Sequence, residues 1–290
     1  MSLGAPPVQK FFESQRLRIS YWDWGNEDKP TFVFVHGGYD HARSWDRIVE
    51  AFRDDYHVVA IDLRGHGDSD AAIGSQYAIP DLAIDVVRLV EEVGAPAKIV
   101  GHSFGASTTL IAAGTFPELF DGVIAIEGTH SLNPPEFMDE GMGPNWLRMY
   151  ADRVREYEDM TPTVYPTLEE VTHRLARQNP HQRHEWVEHL AQYGAKKVEG
   201  GYIWKWDLWV RGRTSMELRR EELERFWANI DCPVLLLFAS SGTGRAAQRL
   251  DAAPLFKDAR SIVVDPATHT VQHDQPERTI AEMKSFLASL

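Results

Sequence analysis

Cysteine is nearly absent: Cys232 is the single one in 290 residues. An internal disulfide is excluded, and the usage fits a reducing, cytoplasmic compartment. Cys232 has no electropositive neighbour in sequence to activate it, so it reads as a small buried residue rather than a nucleophile. Positive charge is also short. Thirty Lys and Arg face 43 Asp and Glu, for a formal net charge of −13. That balance argues against nucleic acid and anionic membrane surfaces as partners. No stretch approaches the ~20 apolar residues of a membrane span. The first residues, Met1 to Pro7, lack the basic segment and apolar run of a signal peptide. Internal repeats and low-complexity tracts are missing too. What is present is ordinary for a packed core, with 43% hydrophobic and 11% aromatic residues. The length suits one large α/β domain or a core carrying an insertion.

Short apolar runs alternate with helical patterns. Strands are expected at Thr31–Val35, His57–Ile61, Ile99–Val100, Gly122–Ile126, Val234–Phe238 and Ser261–Val264. Helices are expected near Trp45–Phe52, at Ile79–Val93, after Ser103 and at Thr279–Leu287. Phe11–Phe12 and Leu17–Tyr21 read as an antiparallel lead-in pair. Such alternation builds a mostly parallel sheet with helices on both faces and ligands at the carboxyl ends of the strands. It breaks between about Ser131 and Arg213, where several helices and no convincing strand are read. Residues 131–212 are therefore expected to form a helical lid inserted into a core of residues 1–130 and 213–290. Five of the nine tryptophans fall in this insertion. Trp146 and Trp204 among them are expected to line an apolar substrate pocket, together with His36 from the core.

The chemistry centres on Gly101-His102-Ser103-Phe104-Gly105. This G-x-S-x-G follows an apolar strand and opens a helix, the context in which a strained turn presents a serine nucleophile. The helix aims its N-terminal N–H groups and dipole at the same spot. A nucleophilic serine needs a base, and His269 lies after the last strand and before the last helix. His273 is its local rival but reads as a loop residue, with Asp274 as the N-cap of the closing helix. His36-Gly37-Gly38 ends the first parallel strand, and its glycines let backbone N–H groups approach a carbonyl. The N–H groups of Gly38 and Phe104 are the expected oxyanion donors. His36 itself reads as a hydrogen-bonding organiser of that loop.

His36-Gly37-Gly38 with Trp45, Asp62-Leu63-Arg64-Gly65-His66-Gly67-Asp68-Ser69, the Ser103 pentapeptide and the His269 segment stand in this order along the chain. Together they resemble the α/β-hydrolase superfamily, over essentially the whole chain outside the insertion. Within it the chain is most similar to the serine hydrolase-like proteins. The residues that carry this are Ser103 followed by Phe-Gly, the Phe116-Pro117-Glu118 step, and a strand Cys232–Phe238 with no following aspartate. The resemblance implies a mostly parallel α/β-hydrolase sheet with helices on both faces and an inserted helical lid. It also implies an acid in the loop after Val234–Phe238, and this chain departs from that. Ala239-Ser240-Ser241-Gly242-Thr243-Gly244 holds no carboxylate. Some members place the acid one strand earlier, which here points to Glu127; the alternative is a Ser–His dyad with no acid.

Two further motifs compete for attention. His181, His184, Glu188 and His189 are rich in possible metal ligands, but their spacing is not H-E-x-x-H. They read as a solvated helix face, and no metal or organic cofactor is expected. Arg64-Gly65-His66-Gly67 lacks the Lys-Ser/Thr of a phosphate loop. The expectation is a serine hydrolase cleaving a small to medium apolar carboxylic ester through an acyl-enzyme. A cofactor-free oxygenase on the same fold, or a non-catalytic ligand-binding protein, are the alternatives.

Overall fold

A computed structural model describes residues 5–74, 77–129, 143–212, 218–241 and 252–290. Ser131 and Arg213, where the expected insertion begins and ends, and loop residues Gly242, Thr243 and Gly244 lie outside the described residues. Among those described, eight strands form one sheet in the order β1-β2-β4-β3-β5-β6-β9-β10. These are β1 Val8–Ser14, β2 Leu17–Asp23, β3 Thr31–Val35, β4 His57–Ile61, β5 Ala97–His102, β6 Phe120–Ile126, β9 Val234–Ala239 and β10 Ala259–Val264. The β1/β2 and β2/β4 pairs are antiparallel and the remaining pairs parallel. The expected lead-in pair is thus β1 and β2. Strands β3, β4 and β9 are buried along their whole length, as apolar runs covered on both faces must be.

Helices lie on both faces. On one, α2 Ile79–Val93 and α3 Phe104–Thr115 pack with α7 Arg220–Ala228 over a core that includes Leu82, Leu110 and Trp227. On the other, Trp45, Phe52, Met283 and Phe286 pack against Phe32 and Phe34. The helix expected near Trp45–Phe52 is shorter than read: a 3₁₀ turn at Ala42–Trp45 leads into α1, Asp46–Val49. The closing helix α9 runs Pro276–Leu287, with α8 Val271–Asp274 just before it. Gln275, not Asp274, is its N-cap, and no side chain caps it. Asp274 instead accepts from the Thr268 N–H at 2.7 Å, across the loop that carries His269.

The insertion holds α4 Pro144–Glu158, α5 Leu168–Gln178 and α6 His184–Gly194, followed by an antiparallel hairpin of β7 Ala195–Val198 and β8 Gly201–Trp204. The reading without strands is corrected by this hairpin. Its strands have four residues each, and Lys196-Lys197 hides the alternation, so only Gly200-Gly201 marked it as a turn. It holds because Tyr165 pairs its backbone with Tyr202, while Val171, Ala191 and Ala195 form a small core with Trp204 and Tyr202 packed on it. Among the described residues no helix is long and apolar enough to cross a membrane.

The contact that sets the site is between α3 and the sheet. A Cβ on Gly105 would lie 2.3 Å from the His36 carbonyl oxygen, and one on Gly101 would lie 2.5 Å from the Gly105 carbonyl oxygen. Both obstacles are backbone, so neither can rotate aside. Gly105→Ala is expected to lower stability by roughly 1–3 kcal/mol through overpacking. Urea denaturation measures it; a loss under about 0.5 kcal/mol, the size of an ordinary surface change, would mean the helix can back away.

Candidate active site

Ser103 sits between β5 and α3 with φ +52° and ψ −114°. A non-glycine residue there is strained by about 1–3 kcal/mol. The strain is held by the Ser103 N–H donating to the Ile126 carbonyl at 2.8 Å and by the close glycine contacts on either side. The hydroxyl is thereby lifted over the carboxyl end of the sheet.

Glu127 is the next residue after β6, the neighbour of β5. It too has a positive φ, +56°. Its chain is pressed onto the start of α3, where a Cβ on Gly128 would lie 2.2 Å from the Ala106 Cβ. Ser107 Oγ donates to the Gly128 carbonyl at 3.0 Å. The turn points the fully buried Glu127 side chain back over the sheet. One carboxyl oxygen accepts from the Ala239 N–H at 2.8 Å, at the end of β9. The other lies 3.2 Å from His269 Nδ1. His269 Nε2 in turn lies 2.8 Å from Ser103 Oγ. The structure therefore brings Ser103, His269 and Glu127 into one chain of contacts. A carboxyl group at Nδ1 keeps the proton on that nitrogen, which leaves the Nε2 lone pair for the serine hydroxyl.

Gly38 and Phe104 also come together: a Cβ on Gly38 would lie 3.9 Å from the Phe104 Cβ. Phe104 is the first residue of α3, so its N–H has no acceptor within the helix. Two of the expected pocket residues are corrected. His36 is fully buried and does not line the cavity; its Nδ1 donates to the Gly37 carbonyl at 2.7 Å and its Nε2 accepts from the Leu63 N–H at 3.0 Å. Trp146 is half-buried on α4 and is not a wall of the cavity either. Trp204 does line it, with Trp206 beside it.

The cavity over Ser103 measures about 220 Å³. Gly38, Ser103 and His269 form its floor. The insertion lines it with Leu175, Gln178 and Asn179 around the end of α5, and with Leu190 and Gly194 of α6. Asp40, His41, His102 and His273 add polar wall. The expected apolar, tryptophan-lined pocket is thus a small cavity of mixed polarity. Most of the tryptophans do other work: Trp227 stacks on Phe256 in the core, and Trp209 packs near Tyr157.

His273 is not the loop residue expected. It lies in α8, is buried, and accepts from Trp186 Nε1 at 3.3 Å while its Nε2 faces Asp40 Oδ2 at 3.8 Å. Burial alone would raise the Asp40 carboxyl; its contact with His273 and the nearby His41 outweigh this and hold it well below the usual carboxylate range. Asp40 was within reach of sequence reading, two residues beyond Gly38 in the same loop. Gln178 and Asn179 carried no such signal, because only the packing of the insertion brings them here.

The remaining motifs stay away from the site. His184 and Glu188 form an exposed i,i+4 pair at 3.3 Å. Among the described residues no three His, Cys, Asp or Glu side chains converge on a possible metal position. Cys232 is buried, and burial pushes its thiol up to about 11.

Comparisons with known proteins agree with this architecture. A family model described as the alpha/beta hydrolase fold matches residues 30–276. The chain is 25% identical to the serine hydrolase-like protein of Danio rerio, over 91% of this chain and 83% of that one. It is also 25% identical to 2-(acetamidomethylene)succinate hydrolase of Mesorhizobium japonicum, with 99% of both chains covered. Among solved structures, the thioesterase domain from the curacin biosynthetic pathway superposes with a TM-score of 0.83 at 23% identity, over 96% of this chain and 99% of that one. With a family match that spans most of its length and a sheet of the same design, the chain belongs to the α/β-hydrolase fold family.

Proposed function

We propose that the protein is a serine hydrolase that cleaves small carboxylic esters through an acyl-enzyme. The observation that carries this reading is the unbroken line from Ser103 Oγ to His269 Nε2 at 2.8 Å and from His269 Nδ1 to Glu127 at 3.2 Å. In this mechanism His269 takes the serine proton as Oγ attacks the ester carbonyl. The backbone N–H groups of Gly38 and Phe104 receive the oxyanion. Glu127 holds the imidazole in the right tautomer and stabilises the imidazolium. His269 then protonates the departing alcohol, and afterwards activates a water that frees the acid. The relatives named serine hydrolase-like support the reaction class.

The cavity size supports a small substrate. At about 220 Å³ it lies below the ~300–1,000 Å³ of pockets that take drug-sized ligands. Asp40, Gln178 and Asn179 on its walls favour a substrate with polar groups beside the scissile bond.

Three outcomes follow. A fluorophosphonate probe is expected to label Ser103, and Ser103→Ala to abolish both labelling and ester turnover; turnover that survives this change removes the serine mechanism. Over a panel of p-nitrophenyl esters, kcat/KM is expected to peak at a short acyl chain and fall with longer ones. A rate that keeps rising with chain length would show that the cavity opens beyond its present walls, and oxygen uptake in place of acid release would move the reading to a cofactor-free oxygenase. Glu127→Gln is expected to lower kcat by at least about 100-fold in a folded protein, since loss of a triad acid can cost roughly 10⁴. A loss under about threefold, roughly 0.7 kcal/mol of barrier, would mean a Ser–His dyad.

A further inference from the structure

We infer that His102, the residue before the nucleophile, is a positioning residue for His269: its ring donates from Nε2 to the backbone carbonyl of His269 and so fixes the segment that carries the base. The inference rests on the proposed serine mechanism for its kinetic consequence, but its geometry stands apart from it. His102 ends β5 and is almost wholly buried. Its Nε2 lies 2.8 Å from the His269 carbonyl oxygen, across 167 residues of chain. A carbonyl only accepts, so Nε2 must carry the proton. The two rings lie 5.0 Å apart.

The other nitrogen supports the same assignment. His102 Nδ1 is buried and has no hydrogen-bond partner. It faces Gly37, where a Cβ would come within 2.7 Å of it. A bare lone pair is tolerable there, whereas a second N–H would be a buried donor without an acceptor. Burial, and then the adjacent His269, push His102 down to about 3. The side chain is thus a neutral donor of one fixed direction. Neutrality matters, because His269 must become an imidazolium when it takes the serine proton, and a second cation 5.0 Å away would oppose that. The bond also fills a gap in the loop's support. Thr268, on the near side of His269, is tied to Asp274 through its N–H at 2.7 Å, and the His102 contact secures the carbonyl of His269 itself. With Glu127 holding Nδ1, ring and backbone are constrained from separate places, the residue after β6 and the last residue of β5.

The arrangement gives Gly37 a reason of its own. Gly38 is the oxyanion donor of the proposed mechanism, while Gly37 leaves room for His102. The His-Gly-Gly turn and the nucleophile pentapeptide are therefore fitted to each other through this ring.

The test compares His102→Leu, which keeps bulk and loses the donor, with His102→Gln, whose side-chain amide reaches the position of Nε2. His102→Leu is expected to lower kcat on the best p-nitrophenyl ester by about 100-fold, the cost of misplacing a base by about 1 Å, with KM changed by less than about threefold. His102→Gln is expected to recover at least about tenfold of that loss at an equal melting temperature, because the donor is restored. Equal rates in the two folded variants, or a kcat for His102→Leu within about threefold of the unmodified protein, would overturn the proposal. Nitrogen-15 histidine spectra of the unmodified protein provide a reading independent of turnover. His102 is expected as the neutral Nε2–H tautomer at pH 5, and an Nδ1–H tautomer or an imidazolium there would overturn the proposal. Should the protein hydrolyse no ester and leave Ser103 unlabelled, the serine reading falls alone. The His269 Nδ1–H signal is then still expected to be lost in His102→Leu and kept in His102→Gln; its persistence in His102→Leu overturns the positioning role.

Discussion

The structure depends on one close approach. Helix α3 starts within backbone contact of β3 and β5, and only glycine at positions 101 and 105 permits it. That approach forces Ser103 to φ +52° and lifts its hydroxyl above the sheet. It also leaves Phe104 at the helix start beside Gly38. The same first turn of α3 receives Gly128, so the residue before it, Glu127, is turned back over the sheet at φ +56°. The positions of Ser103, Phe104 and Glu127 are thus consequences of a single packing contact.

The histidine that meets Ser103 comes from a different part of the fold. His269 lies beyond β10, three strands from β5 in the sheet order. It is held where it is needed by partners on several elements: Ser103 after β5, Glu127 after β6, and the ring of His102 at the end of β5. Thr268 and Asp274 close the loop locally, and Gln182 from the lid reaches Asp274 at 3.0 Å. The insertion is therefore tied to the segment that carries His269 as well as lining the cavity. Trp186 on His273, and His41 on the Leu190 carbonyl at 3.1 Å, extend that tie along α6. This buried polar seam accounts for the mixed character of the cavity, since hydrogen-bonded histidines and Asp40 occupy the wall that tryptophans were expected to fill.

What could be read in the sequence was what local chemistry dictates. Apolar runs bounded by turns gave the parallel strands, because a strand covered on both faces has no polar alternation to obscure it. The glycine pattern around Ser103 marked the tight strand-to-helix turn, because no other residue at 101 or 105 survives those backbone distances. The position of Glu127 at the end of a buried strand, with no carboxylate in the loop after Phe238, marked it as the acid to examine. The boundaries of the closing helix and the hairpin of the lid were not readable in this way. Asp274 looks like an N-cap until its side chain is seen to serve Thr268, and strands of four residues with paired lysines carry too little pattern.

The sequence by itself determined the order of the elements, the α/β class and the residue types that could do chemistry, since these follow from periodicity and from steric limits on single residues. Tertiary structure alone decided which of twelve histidines faces Ser103, which tryptophans reach the cavity, and that His102 bonds to the backbone of His269. Those outcomes depend on how far strands three positions apart are brought together by the sheet and on how the insertion packs over them, and no local pattern encodes a distance across 167 residues of chain.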